Sequence, residues 1–210
     1  MTERVGILGG TFDPPHLGHL VLAEYAAESL GLSRVLFVPA ADPPHKRGIV
    51  RTSIDYRLPM LKLALGDRES FVVSRIDIDR PGPHYAVDMV RLLQESMPQS
   101  EFYFLMGSDS YSDLPNWNRP AELAAACKLA VMDRPGREWS LTMHDAIIPG
   151  LSSRVGVIHF PRLGISSTEV SRRVEEGLSV RYLVPDSVLD FIAQHGLYQH
   201  AKEQPSGTLP

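Results

Sequence analysis

Val5-Gly-Ile-Leu-Gly-Gly-Thr-Phe-Asp-Pro-Pro-His-Leu-Gly-His-Leu20 opens as a strand and closes as a helix. Val5–Leu8 is a short apolar run, the pattern of a strand covered on both faces. Gly9 and Gly10 let the backbone turn tightly and approach a ligand closely. Pro14 and Pro15 stiffen the loop, and a helix is predicted to begin at His16 or Leu17. The free N–H groups and positive dipole end of that helix favour phosphate. His16 and His19 are three apart, so both lie on one side of the first turn, and Gly18 is expected to leave room there for a bound group. Two imidazoles so placed can donate hydrogen bonds to a charge-rich transition state. Taken alone, either histidine reads as a solvated or core residue. His-x-x-His is also a zinc spacing, but no obvious third ligand accompanies it. Gly6-x-x-Gly9-Gly10 departs from the G-x-G-x-x-G dinucleotide pattern, and with no Gly-Lys pair in the chain there is no Walker A motif.

Outward from this segment, β-rich runs alternate with helix-period segments. Strands are expected at Val5–Leu8, Val35–Val38, Phe71–Val73, Phe102–Leu105, Leu129–Met132 and Val155–Phe160. Leu20, Ala23, Ala27 and Leu30 share one helical face, as do Ala86, Val90, Leu93 and Met97. Ile54, Leu58, Leu61 and Leu65 repeat similarly around Pro59, so that helix starts near Pro59 or kinks there. The alternation predicts an α/β fold, a doubly wound and mostly parallel sheet with right-handed crossovers and ligands beyond the carboxyl ends of its strands. The last third is predicted to be helical, with Thr168–Glu176 ending at Gly177 and a helix through Val188, Ile192 and His195 ending at Gly196. Residues 1–198 read as one domain and 199–210 as a disordered tail.

The 210 residues are 43% hydrophobic and 22% charged, ordinary for a globular protein. A net charge of -4 advertises no nucleic-acid surface. The single cysteine, Cys127, rules out an internal disulfide and sits beside an apolar run, where it reads as a small buried hydrophobe. No signal peptide and no run of membrane-span length is expected, which points to the cytoplasm.

Four further segments fall at ends of predicted strands or helices. Ala40-Ala-Asp-Pro-Pro-His45-Lys46 follows the second strand, and Lys46 is a mobile point charge suited to phosphate. Gly82-Pro-His84-Tyr85-Ala86 leads into a helix. Gly107-Ser-Asp109 follows the fourth strand, and Trp117 comes shortly after. Asp109 could accept hydrogen bonds from ribose hydroxyls or cap a helix, and Trp117 could stack on a flat ring or fill the core. Ile165-Ser-Ser167-Thr168-Glu169 is a capping box, with Arg172 and Arg173 a turn later.

Gly10-Thr11-Phe12-Asp-Pro-x-His16-x-Gly-His19 resembles the signature of the nucleotidyltransferase superfamily, and the later segments resemble, in order, those of its bacterial nicotinate-nucleotide adenylyltransferases. The resemblance runs from Val5 to Tyr198. The chain departs from it at Ala40, where some members have Asn, at His84 and Ala86, where Ser and Thr are usual, and at Ser171, where an Arg usually stands. It implies a Rossmann-like nucleotidyltransferase fold and transfer of the adenylyl group of ATP to nicotinate mononucleotide, with Mg²⁺ carried by ATP; the one Cys and the lack of a convincing ligand set predict no bound zinc. It implies that His16, His19 and Lys46 act in the reaction. ATP would lie along Gly9, Gly10, Thr11 and Phe12, with Gly107 and Asp109 at its nucleoside. Its outer phosphates would meet Ile165, Ser167, Thr168, Arg172 and Arg173. The mononucleotide would meet Thr11, Ala40, His45, Lys46, His84, Tyr85, Ala86, Trp117 and Arg134. Two rivals are an adenylyltransferase with another acceptor, such as phosphopantetheine, and a non-catalytic nucleotide sensor on the same fold.

Overall fold

The computed structural model describes residues 2–41, 52–133, 139–159, 161 and 163–199. Its six strands are β1 (Glu3–Gly10), β2 (Arg34–Pro39), β3 (Phe71–Val73), β4 (Ser100–Gly107), β5 (Lys128–Met132) and β6 (Val155–Ile158). They form one all-parallel sheet in the order β3-β2-β1-β4-β5-β6. All six fall where the apolar runs put them, although the last ends at Ile158 and Phe160 lies outside the described residues. The helices are α1 (Leu17–Leu30), α2 (Ile54–Leu65), α3 (Ala86–Ser96), α4 (Ser108–Ser112), α5 (Pro120–Ala126), α6 (Ser167–Glu175) and α7 (Asp186–His195).

Each strand sends alternate side chains to opposite faces. Val5, Ile7, Phe102, Phe104, Leu129 and Val131 pack against Val87, Val90 and Leu93 of α3 and Leu123 of α5. Leu8, Phe37, Tyr103, Leu105 and Ala130 pack on the other face against Leu22, Ala23 and Ala26 of α1 and Leu61 and Leu65 of α2. The core-facing stripe of α1 is therefore rotated from the predicted one: Ala23 is shared, but Leu22 and Ala26 are buried where Leu20, Ala27 and Leu30 are only partly so. Gly18 and Ala residues let either stripe look equally apolar in sequence, and the crossover geometry chooses between them. α2 starts at Ile54 under an N-cap from Ser53 and continues through Pro59. Its other buried positions, Met60 and Ala64, meet Val170 of α6 and Val188 and Ile192 of α7, so the C-terminal helices dock on α2 rather than on the sheet. α7 stops at Gly196, whose φ of 59° is the left-handed cap conformation.

The chain runs outward from β1 to β2 and β3, then returns to β4 on the opposite side. The carboxyl ends of β1 and β4 thus flank the point where the strand order reverses, the usual crevice for ligands on such a sheet. No described helix is long and apolar enough to cross a membrane.

Cys127 is buried, and that burial pushes its thiol up to about 12. A thiol-specific reagent at pH 8 is expected to leave the native protein unlabelled and to titrate one thiol after denaturation. Rapid native labelling would place Cys127 at the surface instead.

Candidate active site

β1 ends at Gly10 and α1 begins at Leu17, so residues 11–16 form the loop beyond the reversal point. Ala40 N–H donates to the Gly10 carbonyl (2.8 Å), holding this loop beside the one that follows β2. Phe12 turns inward with φ 48° and is fully buried. Its ring fills the space over Gly10, where an added Cβ would stand 3.1 Å from Phe12 Cζ, and it meets His19 edge-on with centroids 4.9 Å apart.

His16 is the N-cap of α1, in extended backbone, and its side chain is buried. The imidazoles of His16 and His19 stack with centroids 3.7 Å apart. His16 N–H donates to Nδ1 of His19 (3.2 Å). His19 thus does at the third helical position what Glu or Gln does in a capping box. The contact also sets the tautomer: with Nδ1 accepting, the neutral ring carries its proton on Nε2 and presents a donor there. Gly18 serves a different purpose from the one expected. An added Cβ would lie 2.9 Å from Nδ1 and 3.0 Å from Cε1 of His16, so the missing side chain makes room for the imidazole, not for a ligand. Leu17 N–H, the first of the helix, is taken by the Leu183 carbonyl (2.9 Å). This bond gives the Arg181–Pro185 stretch its structural role and removes one donor from those a phosphate could use.

α6 arrives at the same place. Ser167 Oγ donates to the Pro14 carbonyl (2.8 Å), across 153 residues. Ser166 is the N-cap and accepts from Glu169 N–H (3.1 Å), half of the predicted capping box; the Glu169 carboxylate bonds Arg172 instead of returning to Ser166. The N–H groups of Ser167 and Thr168 open the helix and have no acceptor within it. Ser171 Oγ donates back to the carbonyls of Ser167 and Thr168 (3.0 and 3.1 Å). Arg172 pairs with Glu169 and Glu176 on the exposed face, and Arg173 Nε donates to the Ser179 carbonyl (2.9 Å). Both arginines therefore have partners on the protein, and an anion would have to draw them away.

On the other face, Phe104 of β4 reaches toward Gly9, whose added Cβ would meet its Cζ at 3.9 Å, and Trp117 stands edge-on against Phe104 (5.9 Å). Trp117, Tyr85 and Ala86 are all partly buried against this cluster. Arg119, two residues after Trp117, pairs with Asp88 in the first turn of α3 and draws the two segments together. The Gly82–Ala86 segment is fastened by its carbonyls. Arg80 is held by the buried Asp77 and donates to the carbonyls of Pro83 (3.0 Å) and Tyr85 (3.3 Å). The first N–H groups of α3, those of Ala86 and Val87, then have no acceptor within the helix. The His84 side chain is buried, with Nδ1 3.9 Å from Asp77 Oδ1. Asp109 is exposed in the first turn of α4 and does not cap it; Gly107 does.

His45, Lys46, Arg134 and the tail from His200 lie outside the described residues. Two groups escaped the sequence reading. Arg57 is buried and bonded to the carbonyls of Thr11, Ala40 and Thr52, and Tyr198 donates to Asp13 (2.6 Å). Arg57 had a signal: it shares a helical stripe with Met60, Leu61 and Ala64, where an arginine is out of place unless paired. Tyr198 had none.

Residues 7–173 match the family described as cytidylyltransferase-like. A probable nicotinate-nucleotide adenylyltransferase of Thermomicrobium roseum is 47% identical over 197 residues, covering 94% of this chain and 92% of that protein. One from Thermus thermophilus is 43% identical over 196 residues, covering 93% of this chain and all of its own length (100%). The fold is similar to that of Plasmodium falciparum nicotinic acid mononucleotide adenylyltransferase complexed with NaAD, at a TM-score of 0.76 and 19% identity, over 93% of this chain and 97% of that one.

Gly18→Ala puts a methyl group where the His16 imidazole sits. The ring is expected to swing out of its stack on His19, visible in a crystal structure of the variant. Calorimetry should show triphosphate nucleotides binding about tenfold more weakly, the loss of one charge-assisted hydrogen bond. An unmoved ring with unchanged affinity contradicts this reading of Gly18.

Proposed function

The chain belongs to the cytidylyltransferase-like family and, within it, to the nicotinate-nucleotide adenylyltransferases; from that membership and the site's geometry, we propose that it transfers the adenylyl group of ATP to nicotinate mononucleotide in NAD biosynthesis. The observation that carries the reading is the Ser167–Pro14 contact, which sets the N-terminus of α6 beside the paired imidazoles at the N-terminus of α1. Two helix N-termini meeting over the reversal point suit a polyphosphate.

An oxygen of the mononucleotide's 5′-phosphate attacks the α-phosphorus of ATP in line. The new P–O bond forms as the bond from the α-phosphorus to its bridging oxygen breaks, and pyrophosphate leaves with that electron pair. No covalent enzyme intermediate is needed, so the protein contributes position and charge stabilisation. His19 donates from Nε2 to an α-phosphate oxygen, the tautomer supported by its bond from His16 N–H. His16 contacts the phosphates beside it. Lys46 neutralises charge between the reacting phosphates. Gly9, Gly10, Thr11 and Phe12 line the nucleotide's path, and Asp109 accepts from a ribose. Ser167, Thr168 and the arginines behind them hold the leaving pyrophosphate beside Ile165. A Mg²⁺ ion brought in on ATP would supply further charge neutralisation at the phosphates, beside Ser167, Thr168 and Lys46. Excess chelator should stop turnover, and added Mg²⁺ should restore it.

The acceptor's ring stacks on Trp117, and its carboxylate takes the N–H donors around Tyr85 and Ala86. With Arg80 occupying the carbonyls of Pro83 and Tyr85, the segment offers a ligand donors in preference to acceptors. A carboxylate accepts from all of them, whereas a carboxamide must turn its NH₂ toward one and leave donors unpaired. The chemistry uses soluble nucleotides only and fits a cytoplasmic enzyme.

Two measurements test the assignment. kcat/KM for nicotinate mononucleotide should exceed that for nicotinamide mononucleotide by about two orders of magnitude or more. Equal values, or preference for the amide, refute the acceptor. His19→Ala should lower kcat by roughly two orders of magnitude with far less change in ATP affinity. An unchanged kcat removes His19 from the mechanism.

A further inference from the structure

Arg57 is 2% exposed, yet its partners are almost all carbonyl oxygens of loops. Nε donates to Thr52 (2.9 Å), Nη1 to Thr11 (2.8 Å) and Ala40 (3.0 Å), and Nη2 reaches Ala41 (3.5 Å). One planar fork therefore fastens the loop after β1, the loop after β2 and the approach to α2. Asp13, two residues beyond Thr11, is held at both oxygens. Oδ2 accepts from Thr52 N–H (3.0 Å) and Oδ1 from the Tyr198 hydroxyl (2.6 Å). Tyr198 follows α7 and lies 185 residues from Asp13 in sequence. Its φ of 61° is a left-handed backbone conformation that a side chain disfavours, and it persists where surrounding contacts over-determine it. Burial, reinforced by the Asp13 carboxylate, pushes the phenol far above its ordinary range, so it stays a donor at any working pH.

A buried guanidinium is a poor way to add stability, because apolar side chains of similar volume often serve as well. Its fork is a good way to fix the relative positions of carbonyls on separate loops. Of the loops so fixed, Thr11–Pro15 runs directly into His16, the N-cap of α1, and the other two are tied to it through Gly10 and Asp13. We propose that Arg57, Asp13 and Tyr198 are positioning residues for adenylyl transfer, setting where the Thr11–Pro15 loop stands relative to the N-terminus of α1 and so where the phosphates meet the two imidazoles. The end of α7 is then part of the construction of the site, although Tyr198 touches no reacting atom. The inference rests on the function proposed above.

The test compares four proteins with the full chain: Tyr198→Phe, which removes only the hydroxyl; Arg57→Lys, which keeps the charge without the fork; a chain ending at Leu197; and a control ending at His200. Wild-type transfer from ATP to nicotinate mononucleotide is measured first, and its absence defeats the assigned reaction without touching the positioning claim. Hydrogen exchange of peptides spanning Thr11–Leu20 then decides that claim independently of activity. The expected result is faster exchange there in Tyr198→Phe, Arg57→Lys and the Leu197 chain, with α3 and β4 protected as in the full chain. kcat should fall about tenfold in Tyr198→Phe and about a hundredfold in Arg57→Lys, with KM for ATP within about threefold, the signature of misplacement rather than lost binding. The His200 chain should match the full one. kcat within about twofold of wild type in Tyr198→Phe, or exchange rising equally throughout the protein, overturns the proposal. Should Arg57→Lys fail to fold, Tyr198→Phe decides alone.

Discussion

β1 is hydrogen-bonded along both edges, to β2 and β4, and packed on both faces. A strand confined in this way leaves its last residues one exit, the crevice where the strand order turns back. The chain then has six residues in which to reverse into α1, because Leu22, Ala23 and Ala26 must cover the sheet. Phe12 turns its side chain inward to anchor that reversal, Pro14 and Pro15 are buried behind it, and Asp13 is tied to Thr52 and Tyr198. The positions of His16 and His19 thus follow from how β1 is buried. A histidine pair with the same spacing on an edge strand would have neither the dry setting nor the converging helix.

The parts of this arrangement that depend on apolar burial are legible in the residues. Val5–Leu8, Val35–Val38 and Leu129–Met132 could be placed as doubly covered strands because burial on both faces demands uninterrupted apolar runs. The N-cap at Ser166 and the stop at Gly196 are local chemistry and stand as read, although the Glu169 carboxylate turns to Arg172 instead of closing the capping box. What the pattern left open was rotation and rank. The stripe of α1 moved because small residues occupy both candidate faces, and α2 ran through Pro59 because an early Asp55 carbonyl can do without its partner at the solvent-facing start of a helix.

Long-range polar contacts were not legible, for a physical reason. A hydrogen bond between Tyr198 and Asp13 leaves no periodicity at either end, and either residue alone passes for a surface group. Gly18 was misjudged on the same ground: its absent side chain looked like space for a ligand, and only the rotamer of His16 shows that the space is already filled. Arg57 sits between these cases. Its helical stripe marks it as buried, but not which carbonyls it meets, since Thr11 and Ala40 lie 46 and 17 residues away. The resemblance to a known family adds the roles of residues, not these supports.

In the proposed reaction the two halves of the site face the same electrostatic problem, an anionic ligand, and share one device, the backbone N–H groups at a helix start. At one end, ATP would meet the N–H groups at two helix starts and the Nε2 proton of His19, with Lys46 and the arginines of α6 adding charge. At the acceptor end the proposed carboxylate would meet backbone N–H groups beside carbonyls that Arg80, itself balanced by Asp77, already occupies. Arg80 is paired with Asp77, and Arg172 with Glu169 and Glu176. Fixed dipoles need no counter-ion in the resting protein and do not reorganise when charge shifts onto pyrophosphate. A net charge of -4 is therefore compatible with the two anionic substrates proposed, since a few local cations and fixed dipoles suffice. Dipoles work only at hydrogen-bond range, however, so the burden passes to whatever fixes their positions, and among the described residues that burden falls on Arg57, Asp13 and Tyr198 at one end and on Asp77 and Arg80 at the other.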